Sequence, residues 1–388
     1  MLLANLSFFE HKTQTSNMKI QPYSQPGPGL PGTSSGTKPA KKLSWFLTTA
    51  GRRTTLGLGL LAGTAGFCLQ YIPNTFLIDK YCSIYKMYKG IKEIEVEQKF
   101  VDLGDEVMEK LGFHKVDKKL YRYFTAYGFD TLHLGSAYSK YGVLVGVPSN
   151  FYFNSKADVD ANKITVAGEP IQSKSEPEAK EKLIASLVLS DKAKAFALGV
   201  QIYEANTMKL YNDSIAPGAS IGAYYALSTH FNKKLRGYAR PLSFRVFLYT
   251  LLGTFVTGMY FFLRDLTTHM REKEADQKVG AISLELAEGG VEYYSKILER
   301  NKALRKLMGS KGESLFTFAG NANTLILTPN VPITQRLKAC QDQLKKLIEN
   351  PNLIEVNKAP EKATRRMAPM RMDDDAAKIQ EETAKLNE

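Results

Sequence analysis

From Thr54 to Ile78 the chain carries no charged side chain, and a second uncharged run, VFLYTLLGTFVTGMYFFL, fills residues 246–263 between Arg245 and Arg264. In water such runs must be buried on every side. In a bilayer they need only be helical, because a helix satisfies its own backbone and about 20 residues cross the hydrocarbon core. Lys41, Lys42, Arg52 and Arg53 stand before the first run. A third run, SIAPGASIGAYYALSTHFN at 214–232, also lacks Asp, Glu, Lys and Arg, but Pro217, small residues and His230 dilute it. The sequence therefore predicts a membrane protein with two clear α-helical spans, 54–78 and 246–263, and a third at 214–232. Gly59 and Gly63, and Gly218 and Gly222, have the small-xxx-small spacing that lets helices approach closely, and are candidate helix-packing positions.

Charge in the connectors favours the third span. The connector KKLRGYARPLSFR, 233–245, has five basic residues and no acid. Residues 79–99 mix five lysines with four acids, and residues 264–278 carry four of each sign. Basic connectors stay on the inner side of a membrane. The basic N-terminal arm and the 233–245 connector can share that side only if 54–78 and 214–232 both cross. A two-span arrangement, with 214–232 buried or interfacial, is the alternative.

The remainder reads as water-facing. Residues 1–50 form a flexible basic arm rich in Pro, Gly and Ser, with Glu10 the only acid before Asp79, as in transit peptides. Residues 80–213 read as an α+β soluble domain: a helix over 83–112, several short strands in 120–155, a strand at 163–171, and two helices broken near Ser190. Residues 264–350 read as a helical C-terminal region, interrupted at Gly289 and Gly290, with Gly309 as a C-cap and a last helix over 332–350. Residues 356–388 read as a disordered charged tail. The net charge is +13, but the basic residues are dispersed rather than gathered on one element with aromatics, which argues against nucleic acid. The three cysteines, Cys68, Cys82 and Cys340, form no C-x-x-C. A Cys82–Cys340 bridge stays open on sequence alone.

The motif search returns no P-loop, G-x-G-x-x-G after a strand, G-x-S-x-G or H-E-x-x-H. The five histidines, at 11, 114, 133, 230 and 269, never fall four apart. One short motif stands out: REKEAD at 271–276, just beyond the 246–263 span. It resembles the R-E-x-x-A-D pattern by which membrane-embedded zinc peptidases supply their third, carboxylate ligand, here Glu272. The positions answering to the paired histidines and the glutamate would be Gly199, Val200 and Tyr203. Glycine and valine cannot bind zinc or act as a base, so the resemblance implies a degenerate, pseudopeptidase-like scaffold. The plainer reading is a solvated charged helix in which Arg271 and Lys273 pair within the helix. No catalytic residue, metal or cofactor is expected on either reading. The rival function is a membrane hydrolase or metallopeptidase-like enzyme with a divergent site at His269 and Glu272.

A more specific match is GGVEYYSKILERNKALRKLMGSKGESLFTFAGN, 289–321, with VGVPSNF at 145–151, LSDKAKAFAL at 189–198 and RDLTTH at 264–269. Together these resemble the transmembrane protein 177 family, from about residue 50 to 325. The resemblance implies a multi-pass protein of the mitochondrial inner membrane. It further implies a non-enzymatic role in cytochrome c oxidase assembly, stabilising the newly made subunit II and that subunit's membrane-bound assembly chaperone. Its partners would then be those two proteins and the lipid bilayer, with no nucleic acid.

Overall fold

The computed structural model describes residue 45 and residues 48–354 apart from 114, 163, 167, 172–175 and 325–327. Most of the basic arm, His11, His114 and the tail 356–388 lie outside the described residues.

The first uncharged run becomes α1, Thr49–Tyr71, opened by Thr48, whose hydroxyl accepts from the Gly51 N–H at 3.1 Å. The helix stops short of the predicted Ile78. Pro73 offers no N–H, and turns lead into the short α2, Ile78–Cys82. The helix expected from residue 83 starts only at α3, Gln98–Lys110. Before it, β1 (Tyr88–Lys89) and β2 (Lys92–Glu93) pair as a hairpin across Gly90 at φ +68°. The alternation Glu93-Ile94-Glu95-Val96-Glu97 has a period of two, which suits extended chain and not a helix. After the short α4, Lys115–Lys118, come β3 (Tyr121–Ala126), β4 (Leu132–Gly135) and β5 (Val143–Pro148). Their order is β3-β5-β4, with β3 parallel and β4 antiparallel to β5. Every residue of β5 is buried, as the unbroken apolar run VLVGVP requires of a central strand. The strand expected at 163–171 is instead a tight hairpin of β6 (Thr165–Val166) and β7 (Glu169–Pro170).

Helices supply the rest: α5 (Pro177–Leu187), α6 (Asp191–Ala205), α7 (Lys209–Lys234), α8 (Leu242–Gly280), α9 (Leu284–Leu307), α10 (Ser310–Leu315) and α11 (Ile333–Glu349). Ser190 caps α6, its hydroxyl accepting from Ala193 N–H at 3.3 Å. Gly309, expected as a C-cap, follows the C-cap Met308 at φ +58°, an angle that glycine takes without a Cβ clash. The expected break at Gly289 and Gly290 does not occur; α9 runs straight through. A Cβ on Gly289 would strike the Lys192 carbonyl, and one on Gly290 would lie 2.8 Å from the Phe196 ring. These glycines bring α9 onto α6, and tertiary packing outweighs their weak helix propensity.

The body has α6 at its centre, buried along nearly its whole length. It packs on α3, α8 and α9, while α11 covers α8 and α9. One core cluster joins Phe100, Val107 and Val145 to Phe196, Val279, Tyr294 and Cys340. Residues on either side of α7 and α8 in sequence thus share a single interior. A smaller cluster joins Ile78 and Cys82 of α2 to Phe124, Leu134 and Leu144 on the other face of the sheet. Cys82 and Cys340 are both free and belong to these two separate clusters.

Three helices leave the body as a stem, with α7 packed against both α1 and α8. A Cβ on Gly63 would lie 3.3 Å from Gly218 Cα, and one on Gly66 would lie 3.1 Å from Pro217. Gly59 faces Ile221, while Gly222 meets nothing within 4 Å. On the other flank, Asn232 Nδ2 donates to Tyr249 Oη at 2.6 Å. Among the described residues, α8 is the one helix long and apolar enough to cross a membrane by composition, and only 11% of its apolar window is buried.

Gly290→Val should unseat Phe196 and cost about 1–3 kcal/mol, the usual range for overpacking. A thermal-unfolding midpoint equal to that of the parent chain in the same detergent would show that α9 does not press on α6 there.

Candidate functional site

The REKEAD segment lies in the last part of α8, beyond the apolar 246–263 stretch. His269, Glu272 and Asp276 are spaced i, i+3 and i+7, so the helical period sets them on one face. Residues 328–332 and the first turn of α11, as far as Arg336, run along that face as a strap. His269 Nε2 lies 2.7 Å from the Thr328 carbonyl, which can only accept, so the imidazole donates. Glu272 Oε2 accepts from the Val331 N–H at 2.7 Å. Asp276 is held on both oxygens by Arg336, with Nε to Oδ2 and Nη2 to Oδ1 each 2.7 Å. Tyr294 Oη donates to Oδ1 at 2.6 Å. The guanidinium lies 4.8 Å from the centre of the Tyr294 ring and 3.8 Å from Glu272 Oε1.

Electrostatics follow from this enclosure. Burial pushes the Glu272 and Asp276 carboxyls up, and Arg336 opposes that rise for both. A forked guanidinium suits two carboxylates better than a lysine would. Arg336 and Asp276 are almost wholly enclosed, so their mutual satisfaction matters more than any gain relative to an apolar pair.

The degenerate peptidase positions are near but do not converge. Gly199 and Val200 lie on the buried surface of α6. A Cβ on Gly199 would sit 2.9 Å from both Val107 and Val279, so its role is close packing of three helices. Tyr203 Oη donates to Glu274 at 2.7 Å, not to Glu272. Arg271 does not pair along its own helix with an acid; it reaches Asp213 of α7 at 3.6 Å. Hence the segment is not a fully solvated helix face. Among the described residues no group of three or more His, Cys, Asp or Glu is placed to hold a metal ion. Sequence reasoning missed Arg336, Tyr294 and Val331. The available signal was Arg336 itself, three residues after Ile333 and four before Cys340, on what must be the buried face of α11.

A second polar region borders the same helices. A cleft of about 270 Å³ lies where α1 ends and α7 begins, lined by Asn74, Tyr85, His133, Glu204, Lys209 and Asp213 among others. His133 Nδ1 is 2.8 Å from Gln201 Oε1. Burial pulls the imidazole down to about 4, and the Lys209 and Arg271 charges act in the same direction against Glu204 and the Gln201 hydrogen bond.

Arg336→Met should leave two buried carboxylates without their cation and cost about 3–5 kcal/mol. Adding Asp276→Leu should recover much of that loss, and denaturant midpoints of the single and double variants measure both effects. The folded pKa of His133 lies below its ordinary value, so its contribution is intact above about pH 6.5 and is lost as pH falls toward about 4. His133→Gln should flatten the fall in stability over that window by about 2 kcal/mol, allowing for a ring that is only partly enclosed; unchanged pH curves would refute it.

The model of the family described as Transmembrane protein 177 matches residues 116–356. That match continues past residue 325, where the resemblance in the sequence fades, and takes in α11 and Arg336. The chain is 29% identical over 260 residues to Transmembrane protein 177 of Xenopus laevis, covering 65% of this chain and 82% of that one. It is 28% identical over 287 residues to the Homo sapiens protein of that name, covering 73% and 90%. For Danio rerio the figures are 26% over 301 residues, 76% and 94%. No solved structure matches the chain. With more than half its length matched, the chain belongs to the transmembrane protein 177 family.

Proposed function

We propose that the chain is a non-enzymatic, three-span assembly factor of the mitochondrial inner membrane. On this reading it stabilises newly made cytochrome c oxidase subunit II and that subunit's membrane-bound assembly chaperone. One observation carries the membrane part of the reading. Phe100 and Val145 share a core with Val279 and Cys340, and α7 and α8 lie between them in sequence. A single core cannot be divided by a bilayer. Therefore α7 and α8 either both cross or neither does, and a largely unburied apolar window in α8 disfavours neither. With α1 as the first crossing, the basic arm and the basic 233–245 connector share the matrix side, as positive-inside bookkeeping asks. The body then stands in the intermembrane space.

The acid-poor arm and the family resemblance support the organelle and the client. The locked carboxylates of Glu272 and Asp276 support a scaffold over a catalyst, since both are occupied by Arg336 and the strap. Gly63 and Gly218 are spent on packing α1 against α7, so they are not the surface that grips a client. The exposed apolar flanks, such as Leu58, Leu61 and Leu69 of α1 and Phe247, Leu251 and Phe255 of α8, are the surfaces open to lipid and partner helices.

A C-terminal tag should be digested by protease in mitoplasts while the chain stays in the alkaline carbonate pellet, and radiolabelled subunit II should co-purify with it. A protected tag would overturn the three-span arrangement. Absence of subunit II from the purified chain, or stoichiometric zinc with peptide turnover, would overturn the assembly role.

A further inference from the structure

The cleft beside the stem is bordered by an open sheet edge. β4 is an outer strand of the β3-β5-β4 sheet. The Ser136 N–H donates to the Gly142 carbonyl at 3.3 Å, and Gly135 stands opposite Val143. That contact marks Gly135 and Val143 as a non-hydrogen-bonded pair, and the antiparallel alternation gives His133 and Val145 the same character. The main-chain N–H and C=O of His133 and Gly135 therefore point away from β5. Among the described residues, Asn74 reaches this edge there, its Oδ1 accepting from Gly135 N–H at a long 3.3 Å. On one face of the sheet α2 packs over Leu134. On the other, Gln201 of α6 holds the His133 side chain. Neither closes the edge, and the cleft opens onto it.

We propose that this cleft receives an extended segment of a partner polypeptide, added to β4 as a further strand at the bilayer surface. The inference rests on the assembly-factor reading and specifies where the client is held. Main-chain hydrogen bonding to an exposed strand is a general mode of peptide capture, and an open edge is otherwise a liability for aggregation. The charges around the cleft cancel in pairs. Lys209 lies 3.8 Å from Glu204, Arg271 lies 3.6 Å from Asp213, and the His133 ring is neutral near pH 7. A neutral, hydrogen-bonding main chain complements such a lining; a phosphate or a lipid headgroup finds no net cation. Position agrees as well: Gln70 and Asn74 at the end of α1 and Lys209 at the start of α7 line the cleft, so a chain emerging from the bilayer beside the stem passes this edge.

The test is photo-crosslinking in mitochondria that contain radiolabelled, newly made subunit II. The full chain carries p-benzoylphenylalanine in place of Gln70, which is exposed at the rim of the cleft. A second chain carries it in place of Lys182 on α5, which faces solvent. Crosslinks to subunit II from position 70 and not from 182, mapping to an extended segment outside its spans, are expected. His133→Pro removes the outward N–H and His133→Gln keeps it, so the proline chain should crosslink about tenfold less than the glutamine chain. If subunit II co-purifies but position 70 crosslinks only to lipid or to residues 355–388 of this chain, the cleft proposal fails and the assembly reading stands. Equal crosslinking by the two His133 variants also overturns strand addition. If subunit II is not recovered at all, both fall together.

Discussion

Everything in this molecule depends on α6 being gripped by both halves of the chain. Its residues Ala193, Phe196, Gly199 and Ile202 form a narrow ridge, and the partners that close on it come from α3 upstream and from α8 and α9 downstream. The approach is close because glycines stand at the crossings, Gly199 on α6 and Gly289 and Gly290 on α9. Since burial of apolar surface is the main favourable term in folding, neither half completes the main core without the other. The 214–263 stretch is consequently a loop in the topological sense, a helical hairpin that must return to the side from which it left.

This explains which parts of the fold could be read from residues alone. The buried β5, with its unbroken VLVGVP, the Ser190 cap and the positive φ of Gly309 are local decisions, and local chemistry announces them. The helix expected over 83–97 misread an alternating Glu-Ile-Glu-Val-Glu segment as helical, although the period of two was present in the sequence. The break expected at Gly289-Gly290 failed for the opposite reason. Glycine's weak helix propensity is a local term of about 1 kcal/mol per residue, and the contact of α9 with α6 that it permits is larger and non-local. The end of α1 at Tyr71, before the uncharged run ends, follows from Pro73, which hydropathy does not register.

The carboxylate motif shows the same division. REKEAD was visible as a cluster, and the helical period of α8 sets Glu272 and Asp276 on one face. What sequence could not supply was the partner, because Arg336 lies 60 residues further on in a helix whose polar residues looked like ordinary surface. Once α11 docks, the motif changes meaning: carboxylates that resembled ligands become the anchors of a strap.

A 39-residue helix that is apolar at one end and buried at the other has a problem of register. Leucine and phenylalanine contacts are non-directional, so apolar packing alone would tolerate sliding α8 along α6 by a turn, about 5.4 Å. The strap contacts at His269, Glu272 and Asp276 do not tolerate it. Each has a directional partner, and a one-turn slip would carry the buried Asp276 out of its two-pronged pairing with Arg336 and away from the Tyr294 hydroxyl, at a penalty of several kcal/mol. On this reading the ionic knot adds little net stability. Its effect is to fix the register of α8 against α6 and the strap, and so to set where the apolar stretch of α8 ends and its buried stretch begins.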